Sequence, residues 1–215
     1  MSTRSTPVPG TVFTFPTVRL LLACGIAAGP LFSATIIVQA MTRYGFDARR
    51  HPLSLLALGE HGWVQTANFL LSGVLVVAGV IGLRRALPLG RARTWVTTLL
   101  GVYGASLIWA GIFPADPADG YPPGTPDGVT EVSRHGLLHN LAPVAMGLSL
   151  IAAALVFARN YGIRWAAYSF TAVLAYLVLG FAAFPLHDYR LMLIGGIAIW
   201  TWASAACLRV LQEQH

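Results

Sequence analysis

The chain has 215 residues, 56% of them hydrophobic and 10% charged, with a formal net charge of +6; its mean hydropathy is +0.66. A water-soluble domain of this size has too little interior for so large an apolar fraction, and the polar stretches are too short and broken to form a soluble domain beside a membrane anchor. Nucleic acid is not the partner either, because the charge comes from fourteen arginines scattered between apolar runs, with no lysine and no run of three, which is the pattern of a topology signal.

A bilayer core of about 30 Å takes roughly 20 residues per helical crossing. Six such runs follow in chain order, at 19–40, 62–83, 95–113, 135–158, 165–184 and 191–208. They predict an all-α polytopic membrane protein, a six-transmembrane-helix bundle over 19–209 with tails at 1–18 and 210–215. Within the first run, Leu21-Leu22-Ala23-Cys24 resembles a lipoprotein cleavage box, but only four apolar residues separate Arg19 from Cys24. The run is therefore read as an uncleaved helix. Gly25 and Gly29 form one GxxxG, a spacing that permits close helix packing and also recurs by chance in glycine-rich membrane chains.

Six crossings place both termini on one side. That side, with the second and fourth gaps, holds nine of the arginines; the gaps at 41–61, 114–134 and 185–190 hold Arg43, Arg49, Arg50, Arg134 and Arg190. The positive-inside rule then expects cytoplasmic termini. Seven of the eight acidic residues, Glu131 among them, fall in the outer gaps, and five of the six histidines lie on that side, three in the gaps and His135 and His139 at the start of the fourth run. Basic residues supplied by arginine alone, beside abundant Ala, Gly and Val, fit a GC-rich genome, so the expected location is a bacterial cytoplasmic membrane.

Four polar residues of the second run, His61, Gln65, Asn68 and Ser72, fall at i, i+4, i+7 and i+11 and share one stripe. Such a stripe serves either interhelical hydrogen bonds or the wall of a pocket. His135 and His139 lie one turn apart in the fourth run. With Asp116 they would make a zinc-like set, but HxxxH without a following glutamate is not a protease motif and no cysteine lies on that side, so no cofactor is expected. The proline-rich loop after Phe113 would hold Asp116 and Asp119 near His135, a carboxylate and imidazole pairing suited to acid/base work or to tying a loop to a helix end. In the first outer loop, Pro52 and Ser54 suit a helix start. A short re-entrant helix there would present Arg49, Arg50 and His51 as an anion site, unless the arginines merely snorkel to lipid phosphates.

Two longer signatures run through these loops. Phe46-Asp47, Arg50-His51-Pro52-Leu53-Ser54, Gly59-Glu60, Gly62-Trp63, Gln65 and Asn68-Phe69 form the first. Gly111-Ile112-Phe113-Pro114, Asp116-Pro117, Gly120, Pro122-Pro123-Gly124, His135-Gly136 and Leu138-His139 form the second. Together they resemble the DUF998 family of bacterial and archaeal membrane proteins, nearly end to end. The resemblance implies a six-helix membrane domain and supplies no function.

The resulting expectation is a polar pocket facing the outer leaflet that binds a lipid or isoprenoid-like amphiphile and, if there is turnover, modifies or hydrolyses it by acid/base chemistry. His135, His139, Asp116, Asp119, His61 and Glu60 are the catalytic candidates; Arg49, Arg50, His51, Gln65, Asn68 and Trp63 are the ligand-binding candidates. Membrane lipids are the expected partners, with a homo-oligomer or a membrane partner protein also compatible. The alternative is a non-catalytic scaffold, sensor or partner subunit docking through the outer loops. A small transporter ranks below both, because the cytoplasmic halves of the runs are nearly bare of polar groups.

Overall fold

The computed structural model describes residues 15–128 and 132–214; most of the N-terminal tail, including Arg4, as well as Glu131 and His215, lies outside them. Six helices carry the chain: α1 Phe15–Thr42, α2 Gly62–Ala86, α3 Arg91–Ile112, α4 Arg134–Ala158, α5 Ile163–Ala182 and α6 Arg190–Gln212. Each is long and apolar enough to cross a membrane, and no strand occurs among the described residues. The protein is all-α, a six-helix membrane protein.

The helices outrun the apolar runs at the ends where arginines stand. α1 starts ahead of Arg19, α3 takes in Arg91 and Arg93, and α6 continues to Gln212, where Arg209 pairs with Glu213 at 2.7 Å. Hydropathy marks only the hydrocarbon slab, whereas a helix persists into the interfacial layer as long as its side chains reach water. Exposed aromatics stand at both ends of the bundle, Tyr44 (88% exposed) and Trp63 (68%) at one and Trp95 (57%) at the other, as in the interfacial belts of membrane proteins.

Consecutive helices pack antiparallel, and α6 closes against α1 to complete a ring. The seam is built from small residues. A Cβ on Gly79 would lie 2.6 Å from the Gly25 Cα, and one on Gly29 would lie 2.6 Å from the Trp200 carbonyl. Both glycines of the GxxxG are thus used, Gly25 against α2 and α6 and Gly29 against α6; lipid supplies no hydrophobic drive between helices, so close backbone approach must provide the attraction. Beside Pro30, the Ser204 hydroxyl accepts the Gly29 N–H (3.1 Å) and donates to the Gly25 carbonyl (3.1 Å). It bridges one rung of α1, next to a residue that removes a helical donor. Around this seam Phe32, Ile36, Leu100, Tyr103, Leu107, Ile199 and Trp202 are buried; the Trp202 indole N–H donates to Ser169 at 2.9 Å, fastening α6 to α5.

Candidate functional site

The polar stripe of α2 turns toward α1. Gln65, Asn68 and Ser72 are buried, whereas His61 is exposed. Arg43 donates to Gln39 Oε1 (2.5 Å), Gln39 Nε2 to Gln65 Oε1 (2.7 Å), Asn68 Nδ2 to Gln65 Oε1 (3.3 Å) and to the Phe32 carbonyl (3.2 Å), and Ser72 to Asn68 Oδ1 (3.4 Å). Arginine only donates, so it fixes the direction of every amide below it. Arg43 also donates to the carbonyls of His61 (2.8 Å) and Leu58 (3.4 Å), and this closes the first loop over the ladder. The stripe is an interhelical network that ties α2 to α1; within it Gln65 Oε1 accepts twice, while the buried Gln65 Nε2 has no partner among the described residues.

Asp116 and the two histidines of α4 work on helix ends. The Asp116 carboxylate accepts the Ser133 N–H (2.8 Å) and O–H (2.5 Å), and Ser133 caps α4 by accepting the Gly136 N–H at 3.0 Å. Gly136 makes room for this contact, since a Cβ there would meet the Asp116 carboxylate and force it to shift. Buried His139 donates through Nδ1 to the Phe113 carbonyl at 2.7 Å, satisfying an acceptor that the end of α3 leaves open. His135 is exposed, its ring 5.7 Å from that of Phe113. Glu60 and Trp63 are exposed as well. Among the described residues no three His, Cys, Asp or Glu side chains are grouped so as to hold a metal ion.

The three loops at this end of the bundle are bound to one another. The first loop forms a five-residue 3-10 helix, Leu53–Ala57, capped at Pro52 and packed on α1 and α2; Leu53, Leu55 and Leu56 are buried, and Leu53 and Leu56 join the core of the bundle. Asp47 N–H donates to His51 Nδ1 (2.9 Å), so the ring proton sits on Nε2 and is donated to the Asp119 carbonyl at 3.0 Å. Buried Tyr121 lies between the first and third loops, edge-on to Phe46 with ring centroids 5.4 Å apart. Arg50 pairs with Asp127 at 2.5 Å, which joins the first loop to the third. The last loop joins through the Tyr189 N–H, which donates to the Arg49 carbonyl at 2.9 Å.

Where the three loops meet lies a pocket of about 310 Å³, lined by Arg49 and Arg50 from the first, Asp119 from the third, and Ala183, Phe184, His187 and Tyr189 from the last. Of the residues singled out in the sequence, it brings together Arg49, Arg50 and Asp119. His51 lies behind it through its bond to Asp119, while Gln65, Asn68, Asp116, His135 and His139 are not among its lining residues. His187 and Tyr189 escape a sequence reading because their loop is short. The signal was present: His187-Asp188-Tyr189-Arg190 is an unbroken polar run between two apolar helices. Asp119 (φ 55°) and His187 (φ 49°) are the non-glycine residues with positive φ among those described, and both line this pocket. Asp and His tolerate that conformation better than most residues, yet it persists only where surrounding bonds enforce it. Burial, reinforced by the nearby Asp119 carboxylate, pushes the Tyr189 phenol above its ordinary value, which keeps it a neutral hydrogen-bond donor. Asp188, beside the pocket, is held below the usual carboxylate range by its bonds to Arg190, with Arg49 adding a smaller pull.

No curated protein and no solved structure matches the chain. The family model described as "Protein of unknown function (DUF998)" matches residues 26–209, a span that holds α2 to α5 whole, most of α1 and α6, and all three loops of the pocket. The chain belongs to the DUF998 family.

Proposed function

We propose that this protein binds the phosphate- or carboxylate-bearing headgroup of a lipid or isoprenoid-like amphiphile in the pocket between its three bound loops. The observation that carries the reading is that Arg49 and Arg50 line a cavity of about 310 Å³ at the helix ends, at the lower bound of the size range typical of small-ligand sites. The arginine distribution supports cytoplasmic termini, which would turn the pocket toward the outer leaflet of a bacterial cell membrane. Binding is better supported than turnover, because Asp116 and His139 are each committed to a helix end. If chemistry accompanies binding, its acid and base are Asp119 and His187, the carboxylate and imidazole that share the cavity.

The test is mass spectrometry of lipids retained on the gently purified protein, wild type against an Arg49→Gln/Arg50→Gln double variant. A headgroup-bearing lipid retained by wild type and lost from an equally stable variant is expected. Equal retention by both, or none by either, would overturn the reading.

A further inference from the structure

The charges around the pocket do not suit a purely anionic ligand. Arg50 is paired with Asp127, and Arg190 with Asp188, both at 2.5 Å. Of the formally charged side chains lining the cavity, Arg49 and Asp119 are left with no ion pair within 4 Å among the described residues. Both are held by backbone bonds on either flank: the Arg49 carbonyl accepts Tyr189 N–H (2.9 Å), and the Asp119 N–H donates to the Gly128 carbonyl (3.0 Å) while its own carbonyl accepts from His51 (3.0 Å). The cavity therefore presents one cation and one anion, each on a held backbone and neither in an ion pair, to the same small space. A ligand with a single negative charge would satisfy Arg49 and face Asp119 as a like charge.

Resting on the headgroup reading above, we infer that the pocket selects a zwitterionic amino-phosphate headgroup of the phosphoethanolamine type, its phosphate on Arg49 and its ammonium on Asp119. An ammonium N–H on a carboxylate and a phosphate on a guanidinium are both charge-assisted bonds, and the neutral Tyr189 hydroxyl is a further donor for phosphate. The adjoining surface favours a membrane lipid as the source. Phe184 lines the pocket and is exposed, and Phe181, Val178, Leu174 and Phe170 continue an exposed apolar stripe along α5. That helix has 17% of its apolar window buried, the smallest share of the six, so acyl chains attached to a seated headgroup would run along it.

The experiment is native mass spectrometry of the full chain, titrated with phosphatidylethanolamine, phosphatidylglycerol or soluble glycerophosphoethanolamine. Wild type is expected to retain phosphatidylethanolamine about tenfold better than phosphatidylglycerol, the scale of one charge-assisted bond. Asp119→Asn, a residue that also tolerates positive φ, should erase the preference by weakening phosphatidylethanolamine alone; Arg49→Gln should weaken both lipids. Competition by glycerophosphoethanolamine at equal concentration would uphold the zwitterion and move its source from lipid to solution. A wild type that prefers phosphatidylglycerol, or a preference that survives Asp119→Asn, overturns the inference while leaving headgroup binding standing. Lipid retention indifferent to Arg49→Gln overturns both.

Discussion

Replacing Asp116 distinguishes a helix cap from an acid. Its carboxylate receives two bonds from Ser133, at 2.8 and 2.5 Å, and Ser133 holds the first turn of α4 through the Gly136 N–H. A bond to an ionised acceptor contributes about 1.5–3 kcal/mol when shielded from water. Ser133 is exposed and Asp116 half-buried, so each bond here is worth about 1 kcal/mol, and a negative charge at the first turn adds about 0.3–1 kcal/mol. Asp116→Ala should therefore cost about 2–3 kcal/mol, and Asp116→Asn, which keeps the shape and one acceptor oxygen, about 1 kcal/mol. At about 2–4 °C per kcal/mol for a chain of this size, the alanine variant should melt about 4–12 °C lower. Cys207 is buried and Cys24 half-buried, so a thiol-reactive dye added to the detergent-solubilised protein reports the melt. Gly136→Ala supplies the internal control. It drives a Cβ into the same carboxylate, so it should destabilise wild type and be close to neutral in the Asp116→Ala background, a coupling that a double-mutant cycle measures. An Asp116→Ala protein that melts within about 1 °C of wild type, or a Gly136→Ala cost that is the same in both backgrounds, would refute the capping role.

Gly79→Ala places a Cβ 2.6 Å from the Gly25 backbone and should cost about 1–3 kcal/mol, whereas Gly101→Ala, whose Cβ meets nothing within 4 Å, should be neutral or stabilising; equal melting temperatures for the two would contradict the seam. Ser204→Ala removes the bridge between Gly29 and Gly25 and should lower stability by about 0.6–2 kcal/mol, read in the same dye melt, with no loss counting against the bridge. Burial pushes the Tyr161 phenol up to about 12, above the roughly 10 of an unfolded chain. Its neutral form is thus favoured by folding: this contribution is intact below about pH 10 and is lost as pH climbs toward 12. Tyr161→Phe should make the alkaline fall in melting temperature shallower, and an unchanged fall would exclude Tyr161 as a contributor.

The six helices are legible in the sequence because lipid imposes one rule on every crossing, an uninterrupted apolar run with its backbone bonded internally. The chemistry of the mouth is legible only as far as single segments reach. A stripe such as His61, Gln65, Asn68 and Ser72 says which residues turn inward; it does not say whether they meet a void or another side chain. Here the decision was made by Gln39, which supplies the amide that Gln65 needs. The sequence likewise placed Asp116 near the start of α4, correctly, but proximity to His135 was not the operative contact; the Ser133 N–H and O–H were. A carboxylate at a helix N-terminus finds backbone donors ahead of any imidazole, since those donors are otherwise unsatisfied.

Ring closure explains why the pocket lies at the last loop and not under the proline-rich third one. With α6 packed on α1, the short segment between α5 and α6 is brought beside the first loop, although more than a hundred residues separate them in the chain. The Tyr189 N–H can then reach the Arg49 carbonyl. The third loop, held by His51 and Arg50, contributes Asp119 to the same spot. Each loop could satisfy its own polar groups alone, as Asp188 and Arg190 do with each other. Brought together, they leave Arg49 and Asp119 facing one cavity, with positive φ at two of its lining residues. Positive φ costs free energy at non-glycine residues, and capping a helix end does not require it. Its concentration at this cavity, and not around Gln65, His139 or Asp116, is the physical reason to seek function where the three loops converge.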